Sequence, residues 1–206
     1  MLRYQSVSLG MRNPELTRLT ILEQSSILFN TQGYKATSLS EICAASNLTK
    51  GAIYKHFKDK AELEKEGLMF MCTKFLTQFG DGISKANGAE QKLYAILRYF
   101  EGYYTHPPFV GGCPLMNASV EVDDNNPELK LVVQNVMKLM HDKLCLVLKN
   151  GIKHGQVKSD TDIFGFASVM ISSLEGAVMM MQVMDTNKHM KSISKFLKAE
   201  IKRILV

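Results

Sequence analysis

The chain has 206 residues, 46% hydrophobic and 22% charged, enough apolar material for a sizeable core in one domain or two small ones. Its 25 Lys and Arg against 20 Asp and Glu give a net charge of +5 and a pI near 8.9, a mild lean toward polyanions that excludes a histone-like excess. No apolar run is expected to reach the roughly 18–20 residues of a membrane span, and the N-terminus lacks the apolar core of a secretory signal.

The cysteines, Cys43, Cys72, Cys113 and Cys145, have no metal-ligand spacing, which fits a reduced, cytoplasmic protein better than a disulfide framework. Residues 1–65 hold nine Lys/Arg and six Asp/Glu, so the first third is the more basic per residue, as suits a DNA-facing segment. Residues 1–12 lack periodicity and are expected to form a loose arm. Arg3 and Arg12 would serve a minor groove if that arm lies along DNA, and a structureless tail is the competing expectation.

Asn13-Pro14-Glu15 starts a helix, with Asn as cap and Pro in the first turn. Ile21, Leu22, Ser25, Leu28 and Phe29 keep one face through Gln32, and Gly33 ends the helix. Ser38 and Glu41 then stand at capping-box spacing, and Leu39, Ile42 and Cys43 follow as an apolar stripe. This second helix stops near Ser46-Asn47, where Asn tolerates a left-handed turn, and Leu48 plugs the turn. Thr49 caps a helix expected over Lys50–His56, with Ile53 and Phe57 inward. Lys50, Gly51, Ala52, Tyr54, Lys55 and His56 are left facing out.

Two short helices joined by such a turn form a helix-turn-helix. The second carries cations for phosphates, small residues that allow close approach and an aromatic hydroxyl at the edge, the chemistry a DNA groove needs. From these features alone, a helical corner in an unrelated bundle is the competing reading. A longer helix is predicted from Asp59 to about Phe79, stopped by the breakers Gly80-Asp81-Gly82. Further helices follow at Gln91–His106, in a short segment up to Val122, at Glu128–His154, at Thr161–Met184 with Asp160 as cap, and at Ser192–Leu205. The polar turn 123–127 separates the short segment from Glu128. Thr161–Met184 is apolar nearly all round, so one of its sides is expected to meet a partner subunit. The fold class is all-α, about nine helices with no convincing strand.

Thr37-Ser38, Ile42-Cys43, Leu48-Thr49-Lys50-Gly51, Ile53-Tyr54-Lys55-His56-Phe57 and Lys60-Ala61-Glu62-Leu63 resemble the DNA-binding domain of the TetR family. The sequence departs from the usual pattern at Cys43 and Ser46, where small alanines are common, and at Asn47, where glycine is common. The resemblance implies a homodimeric, all-helical, ligand-controlled transcriptional regulator, most often a repressor released from a palindromic operator by a small molecule. It implies a helix-turn-helix domain at residues 13–60 and a helical effector-binding and dimerisation domain at 61–206. The later two-thirds matches the family in outline only: helix order, lengths and a Gly-Cys-Pro-Leu turn.

Expected DNA contacts are Lys50 and Gly51 at base edges, Ser38, Thr49, Tyr54, His56 and Lys60 at phosphates, and Lys55 beside them on the Ser38–Phe57 motif. Arg18, in the helix before it, is an expected phosphate contact, with a solvated arginine the alternative. Tyr99, Tyr103, Phe109, Met116, Met137, Met140 and Met179 are expected on inward faces as an adaptable pocket for an apolar or aromatic effector, with simple core filling as the alternative. Glu175, inside an apolar helix, needs a partner or a ligand, with a place at the dimer seam or at a solvent gap as the alternative, and Glu121 is grouped with it.

Cys113 lies among breakers ahead of a short helix. Its thiol is expected to be more reachable than those of Cys72 or Cys145, with a pKa lowered by the helix dipole. Its turn also resembles that of electrophile-sensing TetR repressors, so a thiol-based redox sensor is one alternative, set against a small buried residue in a tight turn. No metal site, cofactor or catalytic group is expected, since the histidines are scattered and no nucleophile elbow or glycine loop is present. A Cys-dependent enzyme or a helical binding module without DNA binding is the alternative from another class.

Overall fold

A computed structural model describes residues 13–122 and 126–206. The expected arm with Arg3 and Arg12, and positions 123–125 of the polar turn, lie outside the described residues. The described residues form nine helices: α1 Pro14–Gln32, α2 Leu39–Ser46, α3 Lys50–Ile53, α4 Lys60–Ser84, α5 Gly88–Glu101, α6 Pro114–Glu121, α7 Pro127–Lys153, α8 Ile163–Met184 and α9 Lys188–Ile204. Among the described residues the β-pairing is limited to an isolated antiparallel bridge between Val157 and Leu205.

The local signals at the N-terminus act as expected. The Asn13 side chain accepts from Glu15 and Leu16 N–H, and Gly33 closes α1 at φ 95°. Ser38 and Glu41 form the full capping box, and Asn47 takes the left-handed conformation at φ 54°. Ile21, Phe29, Ile42, Ile53 and Phe57 are at most 1% exposed, and they join a continuous apolar core that runs through Leu63, Leu68 and Phe75 of α4 into α5 to α9. α4 packs on α1 on one side and on α5 and α7 on the other, so a single rigid helix belongs to both halves.

Helix ends differ where tertiary contacts override local signals. α3 is shorter than expected, four residues rather than seven. His56 N–H already bonds Ile53 O at 2.9 Å in a tighter turn, and the next cap, Asp59, follows at once. α4 continues through Gly80 and Gly82, and at Gly80 the missing side chain leaves room for Lys143 of α7. A Cβ at Gly80 would stand 2.8 Å from Lys143 Nζ of α7. α5 starts at Gly88 and ends at Glu101, leaving Tyr103 in a turn. Its first turn is capped by Gln156, whose side-chain oxygen accepts from Ala89 N–H at 2.8 Å. α8 is capped by Asp162, not Asp160, and α9 begins a turn early, where Met190 is buried.

The expectation of no membrane-length run is corrected for α8. Its 22 residues, with a mean hydropathy of 1.6, are long and apolar enough to cross a membrane by length and composition. Glu175 and the glycines interrupt the run to the eye without lowering its average enough. One face of α8, through Ala167, Met170, Leu174 and Val178, packs inside the chain, while Phe164, Val169 and Val183 are more than half exposed.

Candidate DNA interface and interior site

α2 and α3 present a compact polar surface. Thr49 Oγ accepts from Ala52 N–H at 3.2 Å, and the Ser38 hydroxyl, bonded to Glu41 at 2.7 Å, holds the Glu41 carboxyl below the usual carboxylate range. Lys50, Gly51, Tyr54 and Lys55 are exposed and His56 is half-buried. Lys50 Nζ lies 5.8 Å from the Tyr54 ring centroid, so cation and hydroxyl-bearing ring stand together. A Cβ on Gly51 would meet nothing within 4 Å, so internal packing does not require glycine there. Seven of the eight expected DNA contacts thus share this surface.

Lys60 does not join it. Its ammonium donates to Tyr34 O at 2.8 Å and pairs with Glu64 at 2.9 Å, closing the end of α1 against α4. Arg18 is likewise engaged within the chain, at its surface. It pairs with Glu66 of α4, and its guanidinium lies 4.9 Å from the Phe57 ring centroid. Both are cations paired with acceptors distant or unremarkable in sequence, and sequence alone could not separate them from phosphate contacts.

The junction between the helix-turn-helix and the later helices is a polar hub. Glu121, at the end of α6, accepts from Tyr34 N–H at 2.9 and 3.1 Å and from Lys35 N–H at 3.2 Å. The carboxylate fits only because Gly33 has no side chain, since a Cβ there would lie 2.7 Å from Glu121 Oε1. Glu121 is therefore committed to the backbone of the α1 end and is not a pocket residue, a correction that follows from α6 docking on α1. Asn30 donates to Val110 O at 2.7 Å and Gly112 O at 3.1 Å, and Asn117 of α6 donates to Asn30 O at 3.0 Å and Gly111 O at 2.8 Å. Gly111 at φ 90° brings its backbone so close to Asn30 that a Cβ would fall 2.5 Å from its carbonyl oxygen. The sequence reading missed Asn30 and Asn117. The available signal was a polar Asn30 beside Phe29 on the inward face of α1.

Behind this hub lies an interior cluster. Cys113 Sγ donates to Glu175 Oε1 at 3.5 Å, while Glu175 Oε2 is buried without a partner among the described residues, and the Tyr103 hydroxyl, buried beside that of Tyr99, makes no hydrogen bond of normal geometry. Buried polar atoms in native proteins are nearly always satisfied, so two orphans in one place call for a ligand or water. Tyr99 meets Tyr103 edge to face at 5.6 Å and stands between it and Phe75 and Phe79. Burial raises the Glu175 carboxyl to about 7 and also raises the Tyr99 and Tyr103 hydroxyls. A groove of about 360 Å³, lined by Tyr103, Phe109, Gly112, Met181 and Gln182, borders this cluster at Tyr103.

Other expected pocket residues are not gathered here. Met140 is fully buried and Met116 half-buried, but Met137 and Met179 are 48% and 49% exposed, on the outer faces of α7 and α8. A helix with apolar residues on several faces leaves its inward side ambiguous in sequence. Cys113 reverses its expectation. It is 0% exposed, and burial first, then the Glu175 charge, pushes its thiol well up, outweighing the amides of α6. Cys145, half-buried and 3.5 Å from His141 Nδ1, is the more accessible thiol.

Comparisons with known proteins agree with this architecture. Residues 21–66 match the family profile described as bacterial regulatory proteins, tetR family, and residues 89–197 match that of the tetracyclin repressor-like C-terminal domain. The chain is similar to a TetR transcriptional regulator of Chloroflexus aurantiacus, with 31% identity and a TM-score of 0.90 over 95% of this chain and 98% of that one. A TetR-family regulator of Cytophaga hutchinsonii matches with 27% identity and a TM-score of 0.87 over 96% and 98%. The probable HTH-type transcriptional regulator ArpR of Pseudomonas putida is 25% identical over 79% of this chain and 78% of its own length.

Proposed function

The chain belongs to the TetR family, whose members are ligand-responsive, DNA-binding transcriptional regulators and not enzymes, and from that premise we propose how its residues divide the work. Family members bind operator DNA, dimerise and bind small-molecule effectors. In this reading residues 13–60 bind a palindromic operator in the cytoplasm, and residues 61–206 dimerise and take the effector. Lys50 and Gly51 approach base edges, and Ser38, Thr49, Tyr54, Lys55 and His56 hold phosphates. The exposed apolar side chains of α8 and α9, with Phe164, Val183 and Phe196 foremost, form a four-helix seam with the second copy.

The effector site is the cluster of Tyr99, Tyr103, Cys113, Met116 and Glu175. The observation that carries this is the pair of buried, unpartnered oxygens at Tyr103 and Glu175, with the groove beside Gly112 bordering the Tyr103 side. Cys113 and Gly112 lie on the chain segment that Asn30 and Asn117 tie to α1, so a ligand that shifts this segment also shifts the seat of the helix-turn-helix. The effector acts by favouring a conformer whose two recognition helices no longer match successive major grooves.

The test is operator selection from a random DNA pool with the purified chain, followed by salt titration. A palindromic site whose affinity falls steeply with salt is the expected outcome. Recovery of no sequence preference would overturn the assignment.

A further inference from the structure

Resting on the reading of the interior cluster as the effector site, we propose that its ligand is a protonated amine on an apolar body. Two acceptors stand unfilled there: Glu175 Oε2, left open because Cys113 occupies Oε1, and the oxygen of Tyr103, which is 3% exposed. An ammonium has three donors and no acceptor, so one group fills both sites and supplies the charge the carboxylate lacks. Tyr99, half-buried against Phe75, Phe79 and Tyr103, adds aromatic surface for a cation. A carboxylate ligand would be repelled, and a neutral alcohol supplies a single donor without charge. The apolar body lies in the groove against Phe109 and Met181.

The ionisable groups around Glu175 fit this choice. Tyr99 of α5, Tyr103 in the turn after it and Cys113 ahead of α6 act on one another and on Glu175, and burial keeps all three neutral through the physiological range. Asp185, at the end of α8, adds an acidic group at the groove mouth. On the neighbouring helices, His141 of α7 is engaged with Ser168 toward the start of α8, and Lys198 of α9 is paired with Glu101. With its carboxyl at about 7, Glu175 passes from mostly neutral to mostly ionised between about pH 6 and pH 8, so amine affinity should rise about tenfold over that interval.

The experiment is calorimetric titration of the full chain with tryptamine and phenylbutylamine, each beside its alcohol, tryptophol and phenylbutanol, and with indolepropionate as the anion. The expected result is amine binding at about pH 8 at least about tenfold tighter than that of the matching alcohol. Affinity should weaken toward pH 6, and the amine preference should vanish in Glu175→Gln. Tyr103→Phe, which keeps the ring, should weaken the amines several-fold while leaving the pH slope. Circular dichroism verifies that both variants fold. Alcohols or the anion binding as tightly as the amines, but weakened by Tyr103→Phe, would overturn the charge class and leave the effector site standing. No binding by any compound, or binding indifferent to both substitutions, would overturn both.

Discussion

Three residues carry their environments plainly enough to predict from. A side chain at Gly51 meets open space within the chain. Gly51→Ala should therefore hold or raise stability, by up to about 1 kcal/mol from helix propensity, yet weaken operator binding if DNA approaches there. Thermal unfolding beside fluorescence anisotropy separates the two effects. Lys50→Ala should cost about 1–3 kcal/mol of operator binding and relax sequence choice. Tyr54→Ala, a phosphate contact in this reading, should weaken all sequences alike, and unchanged affinity in both variants would count against this surface as the reader. At Glu175 the folded carboxyl is raised to about 7 by burial. A carboxyl so raised contributes stability fully below its unfolded value and loses it as pH climbs through the folded value. Glu175→Gln should therefore match wild type at low pH and become the more stable by about 1–3 kcal/mol above pH 8. Chemical denaturation across pH measures the gap.

At the scale of elements, the junction of α1 and α6 joins the two halves through hydrogen bonds as well as packing. Glu121 caps the backbone beyond α1, and Asn30 and Asn117 lace α1 to the Gly111-Gly112 turn. Glu121→Gln keeps the shape but turns an amide donor toward the Tyr34 and Lys35 N–H groups. Hydrogen exchange at those two amides should accelerate about tenfold or more, since each local opening loses a charge-assisted bond. The ratio of operator affinities with and without a bound amine should also fall toward one. Unchanged exchange and unchanged ratio would remove Glu121 from the coupling. Gly33→Ala should act in the same direction and more strongly, because the added methyl collides with the carboxylate and φ is positive.

For the whole molecule, the unresolved burial lies on α8 and α9. Phe164 at 70%, Val183 at 79% and Phe196 at 54% exposure leave large apolar side chains along α8 and α9 that a partner surface would cover. Val183→Glu with Phe196→Glu should yield a folded monomer with lost operator binding, read by sedimentation. A dimer that survives the double substitution would place the seam elsewhere. Val178 and Leu197 look like seam positions in sequence, but they are 0% and 1% exposed inside the chain's own core. Charges there would unfold the protomer and say nothing about the partner.

The sequence by itself determined what short-range physics governs. The caps at Asn13, Ser38, Thr49 and Asp59, the left-handed Asn47 and the exposed face of Lys50, Gly51 and Tyr54 depend on neighbours within about one helical turn. Those local rules placed the helix-turn-helix and most of its candidate contacts. Tertiary structure decided whatever depends on a partner distant along the chain. Lys60 turned inward because Tyr34 O and Glu64 stand within reach, and Glu121 left the pocket because Gly33 opens a seat for it. The Cys113 thiol is raised rather than lowered because burial and Glu175 outweigh the amides of α6, and α5 gained its cap from Gln156. Periodicity could not tell which side of α7 or α8 faces inward, since both carry apolar residues on several faces. Only packing against α4, α5 and α9 resolved that, and it left Met137 and Met179 outside.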